Sequence, residues 1–373
     1  MNKFLRLFWR IGCVVLAIAF LLSCCTAFVS SAVFSYSIFF ALVFPYLFLA
    51  VLITGIVNLF INKKWALIFF VLLIAGLYNF FQTVAVSPQH SWTMKKDSGS
   101  LRIMTWNVSE FVNPAPLDLP DAEIRRNIYH TITEYKPDVL CLQEYYNASN
   151  SRDLPSEQHE LDSLGYPYVA FSGDQRLKTF FGIIERGVAI YSKLPIKATD
   201  TLNIRNDFNV ENIVYADVIF NGKPMRVTTG HLKSYYLFPD SARGYVGRKT
   251  VAKKLYTYKR DVEMKIRDIE SMHERQAGLI KSLLDSSSHP VVYCGDMNAT
   301  PVMYSYQLLK GNRQDAFLQA GNGIGATFYN IVPTLRIDVV FPSKDFTVTQ
   351  CTVVQRKLGD HYPVFADLKW KEK

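Results

Sequence analysis

Val291-Val292-Tyr293-Cys294-Gly295-Asp296-Met297-Asn298 runs a short apolar stretch directly into an acid and an amide two residues apart. Side chains at i and i+2 of an extended segment point the same way. Asp296 can therefore orient or deprotonate a water on the side where Asn298 donates to a phosphate oxygen. Comparable apolar runs end in, or contain, Trp106-Asn107, Gln143-Glu144, His231, Arg336-Ile337-Asp338 and Asp360-His361. A carboxylate at the end of a buried strand is costly unless it is paired or bound to a cation. A hard divalent ion takes one or two carboxylates and completes its shell with water and phosphate, which suits Glu144. Asp338 is an acid on an otherwise apolar strand, and an imidazole is its natural partner. In the turn at Asp360-His361, a histidine beside an acid can be held in one tautomer and move a proton. His231 closes the set as a donor to a phosphate or leaving group. Singly, each has an ordinary explanation: Asn107 as a turn former, Glu144 as a surface residue, Asp338 paired with Arg336. Together they form a set suited to a metal ion and a phosphate.

These residues need strands to position them. Leu101 to Val108 reads as the first strand, and Asp138 to Gln143 is a continuous apolar run, hence a buried one. Between them, Ile124, Ile128, Ile132 and Tyr135 mark a helix over Asp121–Tyr135 that stops before Pro137. Further strands are expected at 187–192 and 212–220; Asn221-Gly222 is a hairpin turn returning along 223–231. A helix is expected from Arg260 to Leu284, then strands at 291–294, 326–329, 335–341, 346–354 and 363–369. Hairpin-linked strands interleaved with a few helices imply two mixed sheets packed face to face, with helices on the outer faces.

The first quarter of the chain has a different character. No Asp, Glu, Lys or Arg occurs from Ile11 to Asn62, nor from Trp65 to His90. A membrane-spanning helix needs about 20 predominantly apolar residues, so three spans are expected, with a turn near Ser30–Ser37 and a third span over Trp65–Val86. The implied organisation is a membrane anchor over 1–87, a polar linker over 88–99 and a catalytic domain over 100–373. Lys3, Arg6, Arg10 and Lys63-Lys64 put the N-terminus on the cytoplasmic side and everything after the third span outside. Asn107, Asn147 and Asn298 all fit the glycosylation sequon. Glycans on two proposed active-site residues would block chemistry, which favours a bacterial envelope (the periplasm of a Gram-negative cell) over a eukaryotic lumen. Three cysteines of the exported part, Cys141, Cys294 and Cys351, each lie in an apolar run and read as buried free thiols rather than disulfides. Part of the formal net charge of +9 is local: Arg243–Arg267 carries nine Lys/Arg against two acids. Such a run suits anionic headgroups or an anionic substrate. The spans themselves lack the ionisable residues that mark conduction pathways, so they read as an anchor rather than a channel.

Taken in order, Trp-Asn, Gln-Glu, Gly-Val-Ala-Ile-Tyr-Ser-Lys, His-Leu-Lys-Ser, Gly-Asp-Met-Asn-Ala-Thr-Pro, Arg-Ile-Asp and Gly-Asp-His-Tyr-Pro-Val resemble the endonuclease/exonuclease/phosphatase superfamily. That group contains DNase I-like nucleases, inositol polyphosphate phosphatases and neutral sphingomyelinases; the chain looks most similar to its bacterial membrane-tethered members. The resemblance implies an α/β fold: a four-layer α/β/β/α sandwich of two mixed sheets, preceded here by three transmembrane helices. It implies that Glu144, with Asn107 and Asp360, holds Mg²⁺ or its substitute Mn²⁺. It makes His361 the catalytic base, oriented by Asp338, and has Asp296 position the attacking water. Asn298, Asn107 and His231 would contact the phosphate. His231 stands where apurinic-site endonucleases carry Tyr, which disfavours a base-excision role; Glu185 is a candidate acid supporting it. The implied function is a membrane-anchored, metal-dependent phosphoester hydrolase acting outside the cytoplasm on a lipid headgroup, nucleotide or nucleic acid, beside membrane lipids. The alternatives are an extracytoplasmic DNase I-like endonuclease and a non-catalytic binding module on the same fold.

Overall fold

Strand parity organises this structure. The computed structural model describes residues 3–87, 92–112, 121–149, 156–179, 182–204, 211–235, 251–329 and 332–372. Its strands are β1 (Leu101–Asn107), β2 (Val139–Ser149), β3 (Tyr168–Phe171), β4 (Gln175–Thr179), β5 (Gly182–Ser192) and β6 (Ile196–Leu202). They continue with β7 (Ile213–Phe220), β8 (Lys223–His231), β9 (Val291–Asp296), β10 (Asp338–Pro342), β11 (Phe346–Val353) and β12 (Val364–Trp370). The helices are α1 (Lys3–Cys25), α2 (Ser37–Ile61), α3 (Lys63–Ala75), α4 (Leu77–Thr83), α5 (Asp121–Tyr135), α6 (Glu157–Ser163), α7 (Val251–Asp285), α8 (Tyr304–Lys310) and α9 (Ala316–Ala320).

One sheet has the order β11-β12-β1-β2-β5-β3, with β4 also on β5; the other runs β10-β9-β8-β7-β6. β1 and β2 are parallel, as are β8 and β9, while the remaining pairs are antiparallel. Alternate residues of each strand face opposite sides. Leu101 and Ile103 of β1, Val139 and Cys141 of β2, Val227 of β8, Val292 and Cys294 of β9 and Val340 of β10 pack between the sheets. The opposite parity of the first sheet, Met104, Trp106, Leu140 and Leu142, meets Ile124, Ile128 and Ile132 of α5. That of the second, Val291, Tyr293, Val339 and Phe341, meets α7 and α8. Two mixed sheets flanked by helices are thus the architecture expected from the sequence. The segment at 326–329 is not a strand: Phe328 makes only isolated bridges to Leu335 and His361. Thr327 instead gives its hydroxyl oxygen to the Ile337 and Asp338 N–H groups.

α1 and α2 are each long and apolar enough to cross a membrane. The expected third span is not one continuous helix: α3 and α4 meet at a 52° bend. The bend sits at Gly76, where an added Cβ would lie 2.4 Å from the Phe20 ring. Beyond it, Asn79 donates to the Ser23 and Cys24 carbonyls at 3.0 and 3.3 Å, satisfying the frayed end of α1. Gln82 accepts from Gln307 and Lys310 of the sandwich. The N-terminal helices and the sandwich share one apolar cluster, running from Phe20, Phe44 and Phe69 to Tyr306, Leu309 and Phe341. Of the expected linker, 88–91 lies outside the described residues, and Thr93 N–H donates to Gln350. Of the basic run, residues 243–250 and the side chains up to 265 lie outside them as well.

Candidate active site

The parity that builds the core also builds the site. Continuing the inward-facing positions to the strand ends brings Asn107 of β1, Gln143 of β2, His231 of β8, Asp296 of β9 and Asp338 of β10 to one end of the sandwich. Gly295 lets β9 approach β8 there, because a Cβ would lie 2.2 Å from the Gly230 carbonyl. Glu144 breaks the parity rule. By alternation it would face α5, but a bulge between Leu142 and Tyr145 puts it at φ +46°, and bulges re-aim side chains in this way. It turns into the cleft, where Asn107 Nδ2 donates to Glu144 Oε1 at 3.1 Å and to Asp296 Oδ2 at 3.2 Å. Asn107 Oδ1 is occupied by the Ser109 N–H at 3.1 Å, so Asn107 acts as a donor joining two carboxylates. Ser109 also donates to Asp360 Oδ1 at 2.8 Å, bringing Asp360 to the same edge.

His361 is buried, and its Nδ1 lies 2.8 Å from Asp338 Oδ2. Its Nε2 points toward Asp296, 3.5 Å away. Trp106 donates to the His361 carbonyl at 3.1 Å, and the Phe328 ring centroid is 5.0 Å from the imidazole. Burial alone would lower the His361 pKa, but Asp338 and Asp296 outweigh it and hold the imidazole well above its ordinary value. Burial pushes the Asp296 carboxyl up to about 6 against the opposing pull of His361 and His231.

His231 makes the second histidine–acid pair, with Nδ1 2.8 Å from Glu211 Oε2. Burial opposes its charge, yet the Glu211 hydrogen bond and charge, followed by Asp296 and Glu144, raise its pKa to about 10. Glu211 is therefore the supporting acid; Glu185 lies instead 3.4 Å from Arg176. The other ring nitrogen of His231 is 3.3 Å from Ser234 Oγ. Asn298, at φ +47°, donates to the Leu232 carbonyl at 3.0 Å and to Ser234 Oγ at 3.3 Å. Its own N–H caps Asp296 Oδ1 at 2.8 Å. Ser234 and Glu211 belong to this constellation but were not singled out in the sequence; a hydroxyl three residues past His231 was the available signal. All the expected site residues, Asn107, Glu144, His231, Asp296, Asn298, Asp338, Asp360 and His361, are brought together.

The donor chemistry fits a hard divalent cation. Carboxylates Glu144, Asp296, Asp360, Asp338 and Glu211 surround two imidazoles, and hard cations take oxygen ligands. Asp296, Asp338 and His361 have ligand atoms within 4.8 Å of one another, but Asp338 Oδ2 and His361 Nδ1 are already engaged with each other. Glu144 is the open carboxyl, with 38 % of its side chain exposed against 1 % for Asp296. Burial raises its pKa, opposed by His231, and the negative charges of Asp360 and Glu211 raise it further, a crowding of like charge that an ion would relieve.

The fold is an α/β/β/α sandwich with acids, amides and two histidine–acid pairs gathered at its strand ends. The chain belongs to the endonuclease/exonuclease/phosphatase family, whose model matches residues 104–361. Members of that family are generally hydrolases acting on phosphoesters. A second family model, a domain of unknown function, matches residues 2–84. Among solved structures, the chain is similar to an endonuclease/exonuclease/phosphatase from Beutenbergia cavernae, with 22% identity and a TM-score of 0.51 over 73% of this chain and 72% of that one. Family proteins from Leptotrichia buccalis (17% identity, TM-score 0.50, 72% and 100% covered) and Bacteroides thetaiotaomicron (15%, 0.50, 73% and 98%) share the fold.

Proposed function

We propose that this protein is a membrane-anchored, divalent-cation-dependent phosphoester hydrolase whose catalytic domain lies outside the cytoplasm. The observation that carries the reading is the meeting of two histidine–acid pairs, His361–Asp338 and His231–Glu211, with Asp296 between them at 3.5 and 3.6 Å. Asp338 holds His361 in one orientation, leaving Nε2 to take a proton from a water that Asp296 positions. Asn298, Ser234 and His231 face the phosphate; the 3.3 Å Asn298–Ser234 contact is the one a phosphate oxygen would replace. Glu144 and Asp360 would hold Mg²⁺ or Mn²⁺, with Asn107 steering Glu144. When bound, that ion supplies Lewis-acid charge to the phosphate and leaving oxygen, and neutralises the field that raises both imidazoles. The extracytoplasmic placement is supported by the Lys and Arg residues that flank the cytoplasmic ends of the apolar helices.

The test uses the full chain in detergent with bis-nitrophenyl phosphate and Mg²⁺ or Mn²⁺. Hydrolysis should vanish with a chelator, and His361→Ala should lower kcat by about 10²–10⁴-fold, the usual contribution of a general acid or base. Turnover by His361→Ala near the wild-type rate would refute the assignment.

A further inference from the structure

We infer that the cleft takes its phosphate from the headgroup layer of the bilayer that holds the anchor, so that the substrate is a membrane-lipid phosphoester. The inference rests on the hydrolase reading above and concerns where that site finds its substrate.

The rim segments next to the catalytic residues are the ones that touch the anchor. Four residues after Asn298, the Val302 carbonyl accepts from Thr26 Oγ1 at 2.7 Å, and Thr26 directly follows the outer end of α1. Four residues before Asp338, Thr334 Oγ1 lies 3.3 Å from the Tyr46 hydroxyl of α2. Phe328, six residues before Thr334, forms isolated bridges both to Leu335, next to Thr334, and to His361.

Helix rise gives the depth of these contacts. Sixteen residues separate Tyr46 from Asn62, the cytoplasmic cap of α2, which is about 24 Å at 1.5 Å per residue. The hydrocarbon core is about 30 Å thick. With Lys63-Lys64 in the cytoplasmic headgroups, Tyr46 and Thr334 sit at or just beneath the outer boundary. α3 and α4 lead close to the same level independently: the 13 residues of α3 rise about 20 Å, and α4, bent by 52°, carries Gln82 about 5 Å further. At that depth polar groups need partners, and they have them. Gln82 accepts from Gln307 at 3.2 Å and Lys310 at 2.8 Å, and its carbonyl accepts from Arg336 at 2.7 Å. The turn between α1 and α2 is apolar and exposed, with Phe28 59% and Val33 82% accessible, as suits an interfacial segment.

A cleft whose rim lies in this plane meets lipid phosphates where they already reside. A nucleic acid would have to be drawn to this plane from solution, whereas lipid phosphates are held there at high local concentration, so the geometry favours the lipid.

The experiment places the full chain in nanodiscs. Phosphatidylglycerol, phosphatidylethanolamine, phosphatidylinositol phosphate and sphingomyelin are offered in turn, diluted in a phosphate-free glycolipid. Bis-nitrophenyl phosphate and plasmid DNA are assayed on the same discs. The expected result is release of headgroup or phosphate from a lipid, at a rate that falls as the glycolipid is raised at constant bulk concentration. Pro333→Glu, on the exposed rim beside Thr334, should lower lipid turnover about tenfold by keeping the rim out of the leaflet, while bis-nitrophenyl phosphate turnover stays within about twofold. Cleavage of bis-nitrophenyl phosphate without any lipid product overturns the inference and leaves the hydrolase reading standing. DNA cleavage outpacing every lipid, or lipid turnover indifferent to Pro333→Glu, also overturns it. Failure on bis-nitrophenyl phosphate with either cation sinks the hydrolase reading itself.

Discussion

Behind the segment Lys233–Tyr235 sits a buried acid, Glu270, whose removal should stabilise the protein in a pH-dependent way. Tyr235 donates to Glu270 and lies 3.2 Å from His273 Nδ1, while His273 Nε2–H donates to the Lys233 carbonyl at 2.5 Å. The three side chains grip the chain on either side of Ser234. Burial raises the Glu270 carboxyl from 4.5 to about 7, only partly offset by the Tyr235 hydrogen bond, and lowers His273 to about 4. A carboxyl whose folded pKa is raised contributes most below its unfolded pKa. Its contribution is lost as pH climbs from 4.5 toward 7 and stays lost above. A shift of that size corresponds to about 3 kcal/mol at pH 8. Glu270→Gln keeps an oxygen to accept from Tyr235 and removes the charge, but it adds amide protons that need partners, so part of the gain is forfeited. With an unfolding entropy of roughly 2.1 cal/mol/K per residue, the domain should gain about 3–5 °C in Tm at pH 8. The gain should shrink toward zero near pH 4.5. The assay is thermal unfolding of the full chain in detergent across that range, with bis-nitrophenyl phosphate turnover confirming that the site is intact. A variant no more stable than wild type at pH 8, or one whose Tm difference does not change with pH, would refute this reasoning.

Asn107→Ala should raise the Mg²⁺ concentration for half-maximal activity about 10–100-fold, the usual cost of losing a partner that orients a ligand; an unchanged Mg²⁺ titration would show that Glu144 needs no such steering. Glu211→Gln removes the principal support of the His231 charge, so it should lower kcat by roughly tenfold and shift the alkaline limb of the pH–rate profile downward; a superimposable profile would count against a charged His231. Deleting residues 1–87 should yield a catalytic domain that aggregates or binds hydrophobic dye, because the cluster around Tyr306, Leu309 and Phe341 loses its cover. A monodisperse, fully active fragment would mean that the anchor is only a tether.

Much of this site was legible because period-2 alternation is a hard constraint. Val292, Cys294 and Asp296 must share a face, as must Ile103, Thr105 and Asn107, so the apolar runs pointed their terminal polar residues inward. What alternation could not convey was Glu144, since a left-handed residue inside an apolar run carries no compositional mark. Glu211 was equally hidden. It reaches His231 across the β7–β8 hairpin, and twenty positions of separation give a sequence reader no reason to pair them. The strands that escaped notice, β3, β4 and β6, lie at sheet margins. β6, for instance, reads Ile-Lys-Ala-Thr-Asp-Thr-Leu and is mostly exposed, so its alternation is faint. The expected third span is bent rather than straight for a physical reason: Asn79 and Gln82 are polar positions that a lipid-facing helix could not leave unpaired, and Gly76 permits the close approach of Phe20 that turns the chain away.

The bend in turn changes what the anchor is for. A tether needs only length, whereas α4 supplies specific partners. Arg336 is buried with Asp315 at 2.7 Å and the Tyr306 hydroxyl at 2.9 Å, and its remaining Nη2 donor reaches the Gln82 carbonyl. Leaving such a donor unsatisfied costs about 1–3 kcal/mol. Arg336 lies two residues before Asp338, which orients His361. On the opposite rim, Glu274 of α7 accepts from Ser30 and Ser31 of the outer turn, both at 2.6 Å, one residue beyond the histidine that holds Lys233. Each wall of the cleft is therefore backed by a polar contact to the N-terminal apolar helices or their connecting turn. Both contacts require the helices to keep their register with the domain, so a bilayer that held the helices would also set the height and tilt of the cleft.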